Sequence, residues 1–291
     1  ATLVSWKMML GENGAGKTTA IRMMLGLSTP TAGEVRVLGL DSRREGFEIR
    51  RRVGYLPERP TLYDWMTAAE IGWFTAGFYQ DGFEFEFRRL VTGFNVPLDR
   101  KLSQMSKGMR GKVALSLAMA HMPELLILDE PTSGFDTMVR REFLESMVDV
   151  AAEGRTVLLS SHQIGEVERV ADIVAIVHAG RVLLVERLEE IKRTTRQVTV
   201  TMEDPHRPLV ALNAEIIHER HRGRQYELIT RGLDETALEQ LRFAQGVTAV
   251  EARTPSLEEI FVAYMTGRPA NSLGDSDPLS TGRLSDQSIG V

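Results

Sequence analysis

The tightest constraint on this chain is one run near its start, Gly11-Glu12-Asn13-Gly14-Ala15-Gly16-Lys17-Thr18-Thr19. It fits the pattern G-x-x-x-x-G-K-[ST]. Glycines at these places let the backbone curl and turn several N–H groups toward one anion. Lys17 brings a mobile positive charge to terminal phosphates, and Thr18 offers a hydroxyl to a magnesium ion. Residues 6–10 are apolar and read as a strand. After the loop, Ala20, Ile21, Met24 and Leu27 share one face of a helix. A loop held between strand and helix aims the helix N-terminus at the phosphates. The competing reading is a plain Gly-rich turn before a helix, and the flanking strand and helix weigh against it.

With 291 residues the chain can bury a large core and form more than one domain. Its net charge of −5 argues against a nucleic-acid surface, so no nucleic-acid partner is expected. There is no cysteine, which excludes disulfides and thiolate metal sites. No apolar run approaches the roughly 20 residues that cross a bilayer, so a membrane role must come through a separate chain.

Residues 33–38 alternate as a strand through Val35 and Val37, and residues 53–56 form a short strand stopped by Pro57. Arg43, Arg44 and Arg50, Arg51, Arg52 read as a solvated helix face or a docking surface. From about residue 60 to 122 the pattern becomes helical, an all-helical insert. Residues 125–128 and 156–160 are continuous apolar runs, as in strands buried on both faces. Residues 137–152 and 164–171 read as crossover helices. Residues 173–178 and 182–185 read as a hairpin around Ala179-Gly180. These pieces predict an α/β sheet wrapped by helices over residues 1–187. A helical linker at 188–196 leads into strands at 198–202, 214–218, 226–230 and 247–252 and helices at 236–242 and 256–265. That predicts a small α+β domain over 188–266. Residues 267–291 are rich in Gly, Ser, Asp and Pro, and disorder is expected there.

The strand at 125–128 runs into Asp129 and Glu130. Ligands of a parallel sheet collect outside the carboxyl ends of its strands. Asp129 would face magnesium, and Glu130 could polarise an attacking water. Ser106 and Gly108, at the start of a helix, form either a second anion cradle or a plain N-cap. His162, in Ser160-Ser161-His162, is either structural or within reach of a terminal phosphate. Asp136, in Ser133-Gly134-Phe135-Asp136, is an N-cap or a contact to a partner subunit. Glu58 could ligate magnesium through water or be an exposed loop acid.

The order of these pieces resembles the ATP-binding-cassette family, over roughly residues 6–266. The resemblance implies a P-loop NTPase fold and an ATPase that powers transport through a separate membrane permease. ATP and Mg2+ are the implied cofactors. Two subunits, identical or different, would pair head to tail, with each ATP between one phosphate loop and the partner's Ser106 and Gly108. In that scheme residues 11–19 bind the nucleotide and Thr18 and Asp129 hold magnesium. Glu58 assists through water, Glu130 activates water, His162 senses the terminal phosphate and Asp136 lies at the dimer contact. The insert, with the groove near Glu58, would receive the permease, placing the subunit on the cytoplasmic face of the membrane.

Glu58 in Tyr-Leu-Pro-Glu stands where the family usually has Gln, and Met-Ser-Lys-Gly-Met replaces the commoner Leu-Ser-Gly-Gly-Gln. Both variants resemble a single-cassette exporter branch for drugs, lipids or polysaccharides. The family also places two strands and an adenine-stacking aromatic before the loop, and this sequence lacks them. A truncated chain or a miscalled gene start is therefore expected, with weak ATP binding and an exposed sheet edge. A soluble cassette protein of translation or DNA repair would carry two cassettes or a coiled-coil insert, and neither is visible. An inactive regulatory relative is disfavoured by Lys17, Asp129, Glu130 and His162.

Overall fold

The computed structural model describes residues 5–79, 81–152, 155–168 and 171–267. They fall into two compact units, one comprising 5–163 and 171–182, the other 164–168 and 183–267. The expected disordered tail lies outside the described residues.

In the first unit, β1 (Ser5–Leu10) enters the phosphate loop and α1 (Lys17–Met24) leaves it. A small hairpin follows, β2 (Arg36–Val37) and β3 (Leu40–Asp41), then α2 (Gly46–Arg52) and β4 (Val53–Leu56). The helical insert contains α3 (Ala68–Ala76) and α4 (Phe83–Gly93), and α5 (Lys107–Met119) leads back to the sheet. The chain then runs through β5 (Leu125–Asp129), α6 (Thr137–Ala152) and β6 (Thr156–Ser161). The short α7 (Ile164–Val167) groups with the second unit, and β7 (Ile173–His178) returns to the first. Finally β8 (Arg181–Arg187) carries the chain out of it.

The strands form one sheet in the order β4-β5-β6-β1-β7-β8. The pairs among β4, β5, β6, β1 and β7 are all parallel. All of β5 is buried, because helices cover both faces, and its sequence shows no alternation for the same reason. Ile21 and Leu25 pack from the α1 side onto Val53, Leu125, Ile127 and Leu158 of the sheet. Parallel pairing brings the carboxyl ends of β1, β4, β5 and β6 to one edge. There Met9 is level with Ser160, and Ser160 with Asp129.

The expected elements differ in three places. Helix α1 stops at Met24, so Leu27 is 48% exposed and Leu25 takes the buried position instead. Gly26 is the cause: with φ 65° it lets its own N–H reach Met23 O and the Leu27 N–H reach Arg22 O. Those two bonds are a Schellman stop. The strand expected over 33–38 shrinks to Arg36–Val37, because Leu38 and Gly39 both have positive φ and turn the chain at once into β3. Of the crossover helix expected over 164–171, the described residues are helical at Ile164–Val167, and 169–170 lie outside them. By Asp172 the chain is already joined to β1, since its carboxylate accepts the Trp6 N–H at 2.7 Å.

In the insert, Thr67 starts α3 with a capping box. Its hydroxyl accepts the Glu70 N–H at 3.2 Å, and the Glu70 carboxylate accepts the Thr67 N–H at 2.7 Å. Those bonds from Thr67 hold the Glu70 carboxyl below the ordinary range. Phe87 of α4 is fully buried beneath α3.

The second unit continues with α8 (Leu188–Thr194), β9 (Thr195–Met202), β10 (Glu215–Arg222) and β11 (Gln225–Arg231). It ends with α9 (Glu235–Arg242), β12 (Val247–Arg253) and α10 (Leu257–Thr266). The antiparallel order is β10-β11-β9-β12. Val198, Val200 and Met202 alternate on one face of β9 and meet Leu238 and Leu241 of α9.

Candidate functional site

Seven consecutive loop residues, 13–19, line a cleft of about 320 Å3 together with Glu58, Glu130, Ser133 and His162. Glycine at the N-cap of α1 leaves no side chain to satisfy the first-turn N–H groups, and that turn holds no acidic residue. Such a helix end is an open anion site. Lys17 is buried and folds back over the loop, donating to Gly11 O at 2.6 Å and to Glu12 O at 3.1 Å. The same ammonium lies 3.1 Å from Glu130 Oε1. Thr18 and Thr19 are exposed at the cleft.

Opposite the loop, β5 delivers Asp129 and Glu130. Glu130 has φ 48°, a left-handed conformation unusual for a residue with a Cβ. Its Oε2 lies 2.8 Å from His162 Nδ1. A carboxylate can only accept, so that bond puts the imidazole proton on Nδ1. Asp129 is buried, and its Oδ1 accepts from the Ser160 hydroxyl at 2.6 Å. No donor among the described residues reaches its buried Oδ2. Burial first, then the Asp129 charge, pushes the nearby Tyr55 phenol above its ordinary range.

That orphaned oxygen is an observation about magnesium. Hard oxygen donors suit the ion, which binds one or two protein groups and takes its remaining ligands from water and phosphate. Among the described residues, no group of three or more His, Asp or Glu could hold a metal by itself. A buried carboxylate oxygen without a donor fits an ion that arrives with a phosphate ligand.

The remaining sequence-predicted residues stand outside this cleft. Ser106 caps α5, its hydroxyl accepting the Met109 N–H at 3.2 Å. Gly108 is buried against α6; a Cβ there would lie 2.5 Å from Val139 Cγ1. Asp136 caps α6, accepting the Met138 and Val139 N–H groups at 3.0 Å each. One chain thus gathers the loop, Glu58, Glu130 and His162, with Asp129 behind them, but not Ser106, Gly108 or Asp136.

Two contributors were not singled out from sequence. Ser133 lines the cleft from the turn after Glu130. Ser160 bonds Asp129 and also accepts the Glu130 N–H at 3.1 Å. The signal for Ser160 was present but faint: both strand ends were readable, and parallel register alone sets Ser160 beside Asp129.

Residues 5–133 match the family described as ABC transporter. The bacitracin transport ATP-binding protein BcrA of Bacillus licheniformis is 31% identical over 268 residues, covering 89% of this chain and 87% of the relative. A solved ATP-binding subunit of an ABC transporter is 33% identical, with a TM-score of 0.58, over 65% of this chain and 81% of that one. Another, cbiO1 from Clostridium perfringens, described as part of the transporter complex cbiONQ, is 25% identical with a TM-score of 0.58 over 65% and 79%. Likeness of that extent, spanning most of both chains in the first case, places this protein in the ABC transporter family as an ATP-binding, ATP-hydrolysing subunit.

Proposed function

We propose that this subunit powers export through a separate membrane permease, working as one of two cassettes closed head to tail over ATP. The loop of residues 11–19 holds the phosphates, with Lys17 as their counter-charge. Thr18 and Asp129 hold Mg2+, with Glu58 reaching it through water; when bound, the ion neutralises charge on the transferring phosphoryl group. Glu130 orients and deprotonates the attacking water, and His162 sits beside it at the terminal phosphate. Ser106 and Gly108 lie outside their own chain's cleft, as expected if they serve the partner's nucleotide, and Asp136 holds the neighbouring turn at the dimer contact.

The permease would dock on the helical insert and the groove near Glu58. Supporting this, Tyr63, Trp65, Phe74 and Phe78 are exposed there, and neighbouring rings among them stand 5.5 to 6.1 Å apart. An exposed aromatic cluster of this kind marks a contact surface. Among the described residues no helix is long and apolar enough to cross a membrane. Peripheral attachment at the cytoplasmic face through the permease belongs to the same proposal. The exporter reading rests on Glu58 and on Lys107 within Met-Ser-Lys-Gly-Met. The cassette would occupy 1–187, and 188–266 would form the accessory domain.

The observation that carries the reading is the meeting of Lys17, Glu130 and His162 across one cleft. Its test is Glu130→Gln. With ATP and Mg2+ the variant should accumulate as a nucleotide-bound dimer on size exclusion and hydrolyse ATP at under a tenth of the wild-type rate. Wild-type turnover by this variant would remove Glu130 from the chemistry.

A further inference from the structure

We propose that Ser160 is a positioning residue for ATP hydrolysis, its hydroxyl orienting the carboxylate of Asp129 and, together with its own carbonyl, holding the backbone of Glu130. The inference deepens the reading above and rests on its placement of Asp129 and Glu130.

Ser160 is fully buried near the end of β6 and level with both Met9 and Asp129 in the sheet. Its one proton goes to Asp129 Oδ1 at 2.6 Å. That leaves the hydroxyl's lone pairs for the Glu130 N–H at 3.1 Å, which the Ser160 carbonyl also accepts at 3.1 Å. The donor and acceptor roles are therefore not interchangeable. Asp129 lacks an N–H to offer from its side chain, and the Glu130 amide can only donate.

Two consequences follow for consecutive acidic residues. Asp129 has one oxygen tied, so its carboxyl plane is set and the untied Oδ2 is the atom left to meet Mg2+. Glu130 sits at φ 48°, a left-handed conformation that residues with a Cβ rarely adopt. It persists only where surroundings over-determine it. The Glu130 N–H, accepted by both the hydroxyl and the carbonyl of Ser160, is such a restraint, and it sets where the Glu130 side chain begins. A serine that merely satisfied itself in a strand would need one of these bonds. This one joins the residue proposed to face Mg2+ to the residue proposed to face water.

The experiment compares the wild-type protein with Ser160→Ala, Ser160→Thr and Asp129→Asn. ADP affinity is titrated with and without Mg2+, and steady-state ATPase is measured in parallel. Partners behind a metal ligand typically govern about 10–100-fold in metal affinity or activity. Ser160→Ala should lower kcat by about that factor, shift KM for ATP by less than about threefold, and raise by about tenfold the Mg2+ concentration giving half the Mg2+-dependent gain in ADP affinity. ADP affinity without Mg2+ should not change. Ser160→Thr, which keeps the hydroxyl, should restore the Mg2+ dependence.

Ser160→Ala with wild-type kcat and Mg2+ dependence would overturn the assignment. So would an equal loss of Mg2+-free ADP binding, which would mark a folding role. If Asp129→Asn shifts the Mg2+ dependence and Ser160→Ala does not, only the Ser160 role falls. If Asp129→Asn has no effect either, the reading of Asp129 falls and takes this inference with it.

Discussion

Replacing Gly108 by alanine sets two measurable effects against each other. The added methyl would lie 2.5 Å from Val139 Cγ1, where carbon atoms pack best about 3.5–4.0 Å apart. Helices α5 and α6 must therefore separate locally by roughly 1 Å, and inserting a methyl into such a contact costs about 1–3 kcal/mol. Alanine regains up to about 1 kcal/mol of helix propensity in a helix interior, and less here, two residues past the Ser106 cap. The clash wins, for a net loss of roughly 1–2 kcal/mol. Urea unfolding followed by circular dichroism would read it. Val139→Ala removes the opposing methyl, so the double variant should recover most of the loss, giving a coupling of about 1 kcal/mol in a double-mutant cycle. If Gly108 also faces a partner's nucleotide, Gly108→Ala in the Glu130→Gln background should weaken ATP-driven dimerisation more than nucleotide binding. A single variant as stable as wild type, or one that Val139→Ala does not rescue, would refute the steric reasoning.

Phe87→Ala empties a fully buried ring position in the insert and should cost about 3–5 kcal/mol by urea unfolding. A loss below about 1 kcal/mol would place Phe87 outside the core. Glu259 closes the N-terminus of α10, accepting the Ser256 N–H at 2.8 Å and pairing with Arg253. Chiefly through the Arg253 bond, its pKa falls from 4.5 to about 2. Because the folded-state value is depressed, the stabilisation is complete above about pH 4.5 and drains away as pH falls toward about 2. Glu259→Gln should therefore lower Tm at pH 7, with the gap to wild type closing as the scan is repeated toward pH 2. A gap independent of pH would rule out the charge as its source.

Much of the cassette was legible because its signals are local. The loop is written in consecutive residues, and β5 announces itself by an unbroken apolar run that only a doubly covered strand carries. The second unit was readable through alternation, as at Val198, Val200 and Met202. Failures came where one residue's backbone overrode a pattern. Gly26 ended α1 before Leu27 could join its face, and Leu38-Gly39 folded a supposed strand into a two-residue hairpin. The acids and the lysine of the candidate site were legible, but not its joinery. Ser160 looks like any serine at a strand end until register sets it level with Asp129. The contact of Lys17 with Glu130 spans more than a hundred residues and leaves no trace in spacing.

That last contact bears on how Lys17 would meet a nucleotide. The buried Lys17 ammonium, shared with two backbone carbonyls, lies 3.1 Å from Glu130 Oε1. A triphosphate sliding under the loop bids for the same cation with a higher negative charge. Whatever grip the nucleotide gains on Lys17, the glutamate loses. If Glu130 is the base proposed above, loading the cleft and freeing that base would be one exchange of partners.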